Sequence, residues 1–276
     1  MIIKKRRGFN VVVSIFILLT SYTTAVFGAS ATPAKSSTQK QSPHVVTKIQ
    51  PLSVITPAYS PQDVRLTNVR DTQFTVSWVT KGMYAGKINY GETSALGKPA
   101  YDDRGERISG RVHHVTVKHL NPNTRYYFQI VSGNKIYKNG KEPYTCLTGP
   151  TIIPAKCDVA YGRLYKKFNI RHKIPYGREA IVYLTLVNKD TSGSAGESTA
   201  ESIILDKNSY WSCELANIRE TGLARLFDYS DAGDMLKIEA ETGVYPTAVI
   251  TMDTANDSPA KDIEIPQPKI KKVKGR

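Results

Sequence analysis

Phe74, Val76 and Trp78 alternate with Gln73, Thr75, Ser77 and Val79, and the same period of two returns in Tyr126, Phe128 and Ile130. Successive side chains of a strand point to opposite faces, so these runs fit a half-buried sheet and not an amphipathic helix. Shorter pieces repeat the pattern around them. Val64, Leu66 and Val69 begin a strand, Lys87-Ile88-Asn89-Tyr90-Gly91 forms another that ends at a turn, Val115 and Val117 lead into Leu120-Asn121-Pro122-Asn123-Thr124, and Tyr144 to Thr148 makes a last one. Gly, Pro and Asn punctuate the pieces, and short alternating strands at this spacing predict an antiparallel sandwich. Sixteen Tyr and seven Phe against four Met agree with strands rather than helices.

The segment Leu120-x-Pro122-x-Thr124-x-Tyr126-x-Phe128-x-Ile130 resembles the fibronectin type III signature, which contains a tyrosine corner where one strand crosses to the other sheet. Trp78 is similar to that family's core tryptophan. The residues support the same corner on their own: the ring of Tyr126 can pack inside while its hydroxyl bonds a backbone group nearby. The expected core signature is therefore Trp78, Leu120, Pro122, Tyr126 and Phe128, within a domain over residues 61–150. Trp78, then Ile88-Asn89-Tyr90-Gly91, then His114 before the corner look like the amino-terminal domain of purple acid phosphatases. Those enzymes need a following metallophosphoesterase domain, and no Asp-x-His or Gly-Asn-His-Glu motif follows here. The resemblance implies a fold and not an activity.

A second alternating block occupies residues 151–253. It opens with Val159-Ala160-Tyr161-Gly162-Arg163-Leu164-Tyr165, continues through Ala180 to Leu186 and Ser202 to Trp211, and closes with Gly233 to Ala240. This order is similar to carboxypeptidase regulatory-like, transthyretin-like modules, although Ser209 stands where that family usually has Gly and the loop Asn188 to Glu201 is long. A second fibronectin-like sandwich remains the alternative. The fold class expected is all-β: two tandem immunoglobulin-like β-sandwiches after a signal peptide and a flexible linker.

Lys4 to Arg7, the apolar run Phe9 to Leu19 and the small-residue stretch Ala25 to Ala31 form a secretory signal pattern over residues 1–31. The competing reading is an uncleaved anchor, since Phe9 to Gly28 is about the length that spans a bilayer. Ser14, Thr20, Ser21, Thr23 and Thr24 weaken it. Arg6-Arg7-Gly8-Phe9 resembles part of a twin-arginine signal, but the adjoining Lys residues favour general secretion. Residues 32–60 read as a disordered linker, being rich in Ser, Thr, Pro, Lys and Gln with no apolar period. Residues 254–276 read as a basic disordered tail. The formal charge is +14. Setting aside Lys4, Lys5, Arg6 and Arg7 leaves +10, half of it on Lys269, Lys271, Lys272, Lys274 and Arg276. The body is only mildly basic and carries no basic, aromatic-laced stripe, so no nucleic-acid partner is expected.

The cysteines number three, an odd set for an oxidising compartment. A disulfide between Cys146 and Cys157 is expected to fix the angle between the modules, with Cys213 buried as a thiol. A Cys157–Cys213 bridge or three free thiols are the alternatives. His113 and His114, adjacent on a strand, point to opposite faces and cannot join one site. Asp228, Asp231 and Asp234 lack the spacing and downstream Glu of a calcium loop, and a solvated hairpin turn accounts for them. Asp102 to Arg107 read as a charged, exposed loop. No nucleophile elbow, phosphate loop or dinucleotide fingerprint exists. No catalytic residue, metal or cofactor is expected. The reading is a secreted, periplasmic or cell-envelope protein, non-catalytic, that binds another protein or a surface polysaccharide or acts as a spacer. It meets a membrane only if the amino-terminal segment stays uncleaved, as a stalk. The alternative is an accessory or vestigial component of an extracellular hydrolase.

Overall fold

In the computed structural model, one strand of 18 residues serves both sheets of the first sandwich. The structure describes residues 56–153, 156–167, 173–175 and 177–266. The signal segment, most of the linker and the five terminal basic residues lie outside them. The first sandwich contains β1 (Gln62–Thr67), β2 (Phe74–Gly91), β3 (Lys98–Tyr101), β4 (Ser109–Val117), β5 (Arg125–Ser132), β6 (Lys135–Tyr137) and β7 (Tyr144–Leu147). The first half of β2 pairs with β1 and β4, and its second half pairs with β3 and β5, all antiparallel. A register shift between Val79 and Tyr84 marks where it passes from one sheet to the other.

The sequence pattern divides this strand in two, at Val79 and at Lys87. No Pro or Asn interrupts residues 80–86, and Gly82 and Gly86 let the backbone bend instead of turn. At Gly86 the glycine is required: a Cβ would lie 2.5 Å from His113 Nδ1 and 2.6 Å from the Trp78 ring.

Between the sheets lie Phe74, Val76, Trp78, Ile88, Val115, Val117, Tyr126, Phe128, Ile130 and Cys146. The rings interlock, with Phe74 and Phe128 centroids 5.6 Å apart and Phe128 stacked on Tyr144 at 5.2 Å. Such offset aromatic pairs add to the burial of apolar area itself. Tyr59, at the end of the segment expected to be linker, packs on this sandwich. Ser132 Oγ donates to the Tyr59 carbonyl at 2.8 Å, and the Tyr59 ring meets Tyr84 edge-on at 5.9 Å.

The second sandwich is made of β8 (Val159–Lys167), β9 (Lys173–Pro175), β10 (Ile181–Val187), β11 (Glu201–Ile204), β12 (Tyr210–Glu214), β13 (Met235–Glu241), β14 (Ala248–Asp253) and β15 (Ile263–Glu264). One sheet has the order β11-β10-β13-β14. The other has the order β12-β8-β15, with β9 also on β8. Val182, Leu184 and Leu186 of β10, with Leu236 and Ile238 beside them on β13, share one core with Leu164 and Trp211 of the other sheet.

Residues 254–265, expected to be part of the tail, belong to the second sandwich. The chain stays packed as far as Ile265, where β15 adds parallel to β8 and Ala260, Ile263 and Ile265 enter the core. Three apolar side chains among polar neighbours are enough, because a strand edge was open to receive them.

Truncating Phe128 to Ala should lower stability by about 3–5 kcal/mol, as for other large core aromatics. Leu147→Ala, at a half-exposed position, should change it by less than about 0.5 kcal/mol. Urea unfolding midpoints measure both, and equal effects would contradict this core.

Candidate functional site

The outward face of β2 and β4 is not a solvent face. Thr75, Ser77 and His114 are buried there, and Val79 and Val112 pack with Ile181, Tyr183 and Ile204 of the second sandwich. Because β10 alternates like any strand, Val182 and Leu184 fill its own core while Ile181 and Tyr183 reach the first sandwich. Both sandwiches belong to the same compact unit.

Around this small apolar patch the junction is polar and hydrogen-bonded. Asn68 Nδ2 donates to the Ser202 carbonyl at 2.9 Å, and the Ser202 N–H donates to Asn68 Oδ1 at 2.7 Å. The Asn68 N–H donates to the Ala200 carbonyl at 3.1 Å. Ser77 Oγ and the Tyr183 hydroxyl are hydrogen-bonded at 2.9 Å, as are Thr67 Oγ1 and Ser202 Oγ at 2.6 Å. His114 bridges the two sandwiches, with Nδ1 2.7 Å from Asp103 Oδ2 and Nε2 2.9 Å from Ser202 Oγ. A carboxylate only accepts, so Nδ1 donates to Asp103, while Nε2 and Ser202 Oγ share a hydrogen bond that either can donate. At the rim Arg70 donates to Glu201 at 2.8 Å, and Arg65 donates to Glu239 at 2.7 Å while lying 4.2 Å over the Tyr183 ring. Burial raises the Glu201 carboxyl above its usual range, and Arg70 opposes that shift.

The loop Asp102 to Arg107 is not wholly exposed, because Arg104 turns back into the junction. Its guanidinium forms paired bonds to Asp102 at 2.8 and 2.9 Å and also donates to the carbonyls of Val112 at 2.6 Å and Arg178 at 3.2 Å. Charge compensation in the fork geometry makes that burial tolerable. Beside it opens a cleft of about 540 Å³ that needs both sandwiches. Asp103 and Arg104 come from the first, and Tyr161, Arg178, Ile203, Ile204, Asp206 and Tyr210 from the second.

The residues singled out in the sequence have other places. Trp78, Leu120, Tyr126 and Phe128 are buried in one core, and Pro122 is exposed at the corner. The Asn121 N–H donates to the Tyr126 hydroxyl at 2.9 Å, which closes the tyrosine corner. They build the scaffold and do not line the junction cleft. His113 stacks on Trp78 at 4.7 Å inside the core, on the face opposite His114. Among the described residues no cluster of His, Cys, Asp and Glu could hold a metal ion. Asp234 is spent on capping turns, accepting from the N–H groups of Lys189 at 2.8 Å and Ser230 at 2.9 Å. Asp231 instead pairs with Lys156.

The expected Cys146–Cys157 bridge is not formed, and all three cysteines are free thiols. Cys146 sits opposite Tyr126 on β7 and points into the first core, whereas Cys157 lies exposed and donates to Glu214 at 3.0 Å. Cys213 is buried, as its alternation with Trp211 and Leu215 predicts. What the sequence reading missed was the junction itself. Its available signal was an outward strand face, Thr75, Ser77 and Val79, that carries no charge.

Two measurements test this description. Burial pushes His113 down to about 4, opposed by Asp102 and assisted by Arg104. Between that value and the ordinary value near 6.5 the unfolded chain holds a proton that the folded chain refuses. This contribution therefore falls away as pH drops through 6.5 and is lost by about pH 4, a change of about 3 kcal/mol. The urea midpoint difference between wild type and His113→Gln should shift over that window and stay flat above pH 7. A thiol reagent should label Cys157 in the folded chain and reach Cys146 and Cys213 only on unfolding. Burial drives the Cys146 thiol up to about 12 and raises that of Cys213 as well. A Cys146–Cys157 peptide in a non-reducing digest would contradict the free-thiol arrangement.

Residues 61–146 match the family model of the purple acid phosphatase N-terminal domain. Among solved structures, the chain is similar to the chicken CNTN1 FN1-FN3 domains, with 14% identity and a TM-score of 0.25 over 74% of this chain and 65% of that one. It is also similar to a two fibronectin type-III domain segment from chicken tenascin, with 14% identity and a TM-score of 0.21 over 70% of this chain and 99% of that one. This chain thus spans less than two thirds of the CNTN1 chain. No curated protein matches it significantly. The family match and the closed tyrosine corner together make residues 61–146 a fibronectin type III-like domain, similar to the N-terminal domain of purple acid phosphatases.

Proposed function

We propose that this chain is an exported, non-catalytic binding protein in which two sandwiches, locked at a fixed angle, present the cleft at their junction to a partner in the cell envelope or outside the cell. The observation that carries this reading is the hydrogen-bonded junction. A tandem of domains on a free hinge needs no side chain such as Asn68 reading both the N–H and the carbonyl of a residue in the other domain. Directional bonds of this kind fix orientation, and loops and clefts on a rigid scaffold are where recognition usually resides. The amino-terminal basic and apolar pattern supports export. A protein or a surface polysaccharide is the class of partner, and no nucleic acid is involved. The second module is read as a carboxypeptidase regulatory-like sandwich. The second reading is an accessory component of an extracellular hydrolase, favoured by the match of residues 61–146 to a phosphatase N-terminal domain.

Small-angle scattering of the exported chain should fit a single fixed arrangement of the two sandwiches. Asn68→Ala strands the Ser202 N–H and carbonyl in a buried place, at a cost of about 1–3 kcal/mol, and should broaden the distribution of shapes. A wild-type chain that already scatters as two independent bodies would sink the reading. The hydrolase alternative predicts saturable, metal-dependent turnover of phosphate esters or activation of a separate hydrolase. The binding reading predicts no turnover above background.

A further inference from the structure

We propose that the junction cleft binds an uncharged polysaccharide chain, with Tyr161 and Tyr210 stacking against its sugar rings. This inference rests on the reading of the chain as a non-catalytic binding protein.

The two tyrosines are placed by strand register. Ser212 of β12 pairs with Tyr161 of β8, and Tyr210 pairs with Arg163, so the two rings stand diagonally on one face. The alternate residues, Gly162, Leu164, Trp211 and Cys213, turn inward and are buried. Tyr161 remains 42% exposed and Tyr210 49% exposed, both on the cleft wall. Arg163 lies over the Tyr210 ring at 5.4 Å and limits its freedom before any ligand arrives. A tyrosine pairs an apolar ring with a polar tip, and this suits a sugar, whose ring presents C–H groups on its faces and hydroxyls around its edge.

The rest of the lining argues for an uncharged chain. Asp103 and Asp206 balance Arg104 and Arg178, so the cleft is formally neutral on a protein of charge +14. A site for an acidic polymer would concentrate the basic residues instead. Arg104 is held by Asp102 and in turn holds the Arg178 carbonyl, so these groups bind without reordering. A volume of about 540 Å³ is in the range that holds a ligand of several rings.

The test is titration calorimetry of the exported chain with cellohexaose, mannohexaose and chitohexaose, and with polygalacturonate as the acidic arm. Saturable binding of an uncharged oligosaccharide, insensitive to added salt, is expected. Tyr161→Ala and Tyr210→Ala should each weaken it about tenfold with no change in unfolding midpoint, and Tyr→Phe at either position should retain most of it. Four results overturn the inference: no uncharged oligosaccharide binds; binding survives removal of both tyrosines; only polygalacturonate binds, and salt abolishes it; or the tyrosine variants dissolve a dimer of this chain built on the cleft. Scattering of the same samples separates the two levels. A rigid chain that binds no sugar refutes the ligand alone, whereas sandwiches that move independently refute the underlying reading, because the cleft then has no fixed walls.

Discussion

Asn68 follows directly on β1 with a φ of 51°, a backbone conformation that asparagine tolerates better than most residues. That turn brings its carboxamide alongside Ser202, where it donates to the carbonyl and accepts from the N–H as a neighbouring strand would. An aspartate carboxylate could accept but not donate, so it could not bond both groups. One side chain thus supplies a turn in the first sandwich and an edge partner for β11 in the second. The bonds of Thr67, Ser77 and His114 across the junction all presuppose the alignment it sets.

The apolar share of the junction is small. Val79, Val112, Ile181, Tyr183 and Ile204 would hold two surfaces together but would tolerate sliding, because hydrophobic burial has no direction. The surrounding hydrogen bonds each contribute only about 0.5–1.5 kcal/mol net, yet leaving any one unmade in a buried place costs more than making it returns. Displacement by one residue would orphan several groups together. The junction therefore selects one orientation strongly while adding only moderate adhesion.

Much of the first sandwich was readable because its inward positions are large and its corner is written in a short run, Leu120 to Ile130. The junction was hidden for a physical reason. Thr75, Ser77 and Thr116 are polar enough to pass for a wet face, and only the missing lysines and glutamates distinguish a docking face from a solvated one. Asp102 and Arg104 misled in the same way, since two opposite charges two residues apart look solvated until their fork geometry is seen. The late strand Ile263–Glu264 escaped because two residues cannot show a period. The tyrosines of the cleft wall were visible in their strands. Their common exposure depended on the register of β8 and β12, which the pattern of either strand alone does not specify.

The hydroxyl-lined face has a bearing on how the chain matures. Asn68 and Ser202 are 134 positions apart, so the first sandwich is complete at β7 long before its docking partner exists. Domains generally fold as units in the order they are made, and exposed apolar surface during such a wait invites aggregation. Here the waiting surface is largely threonine, serine and histidine, which water solvates well. An early sandwich of this kind stays wettable until β10 and β11 arrive to displace that water, so the chain keeps its half-built form out of trouble by the same chemistry that later sets its angle.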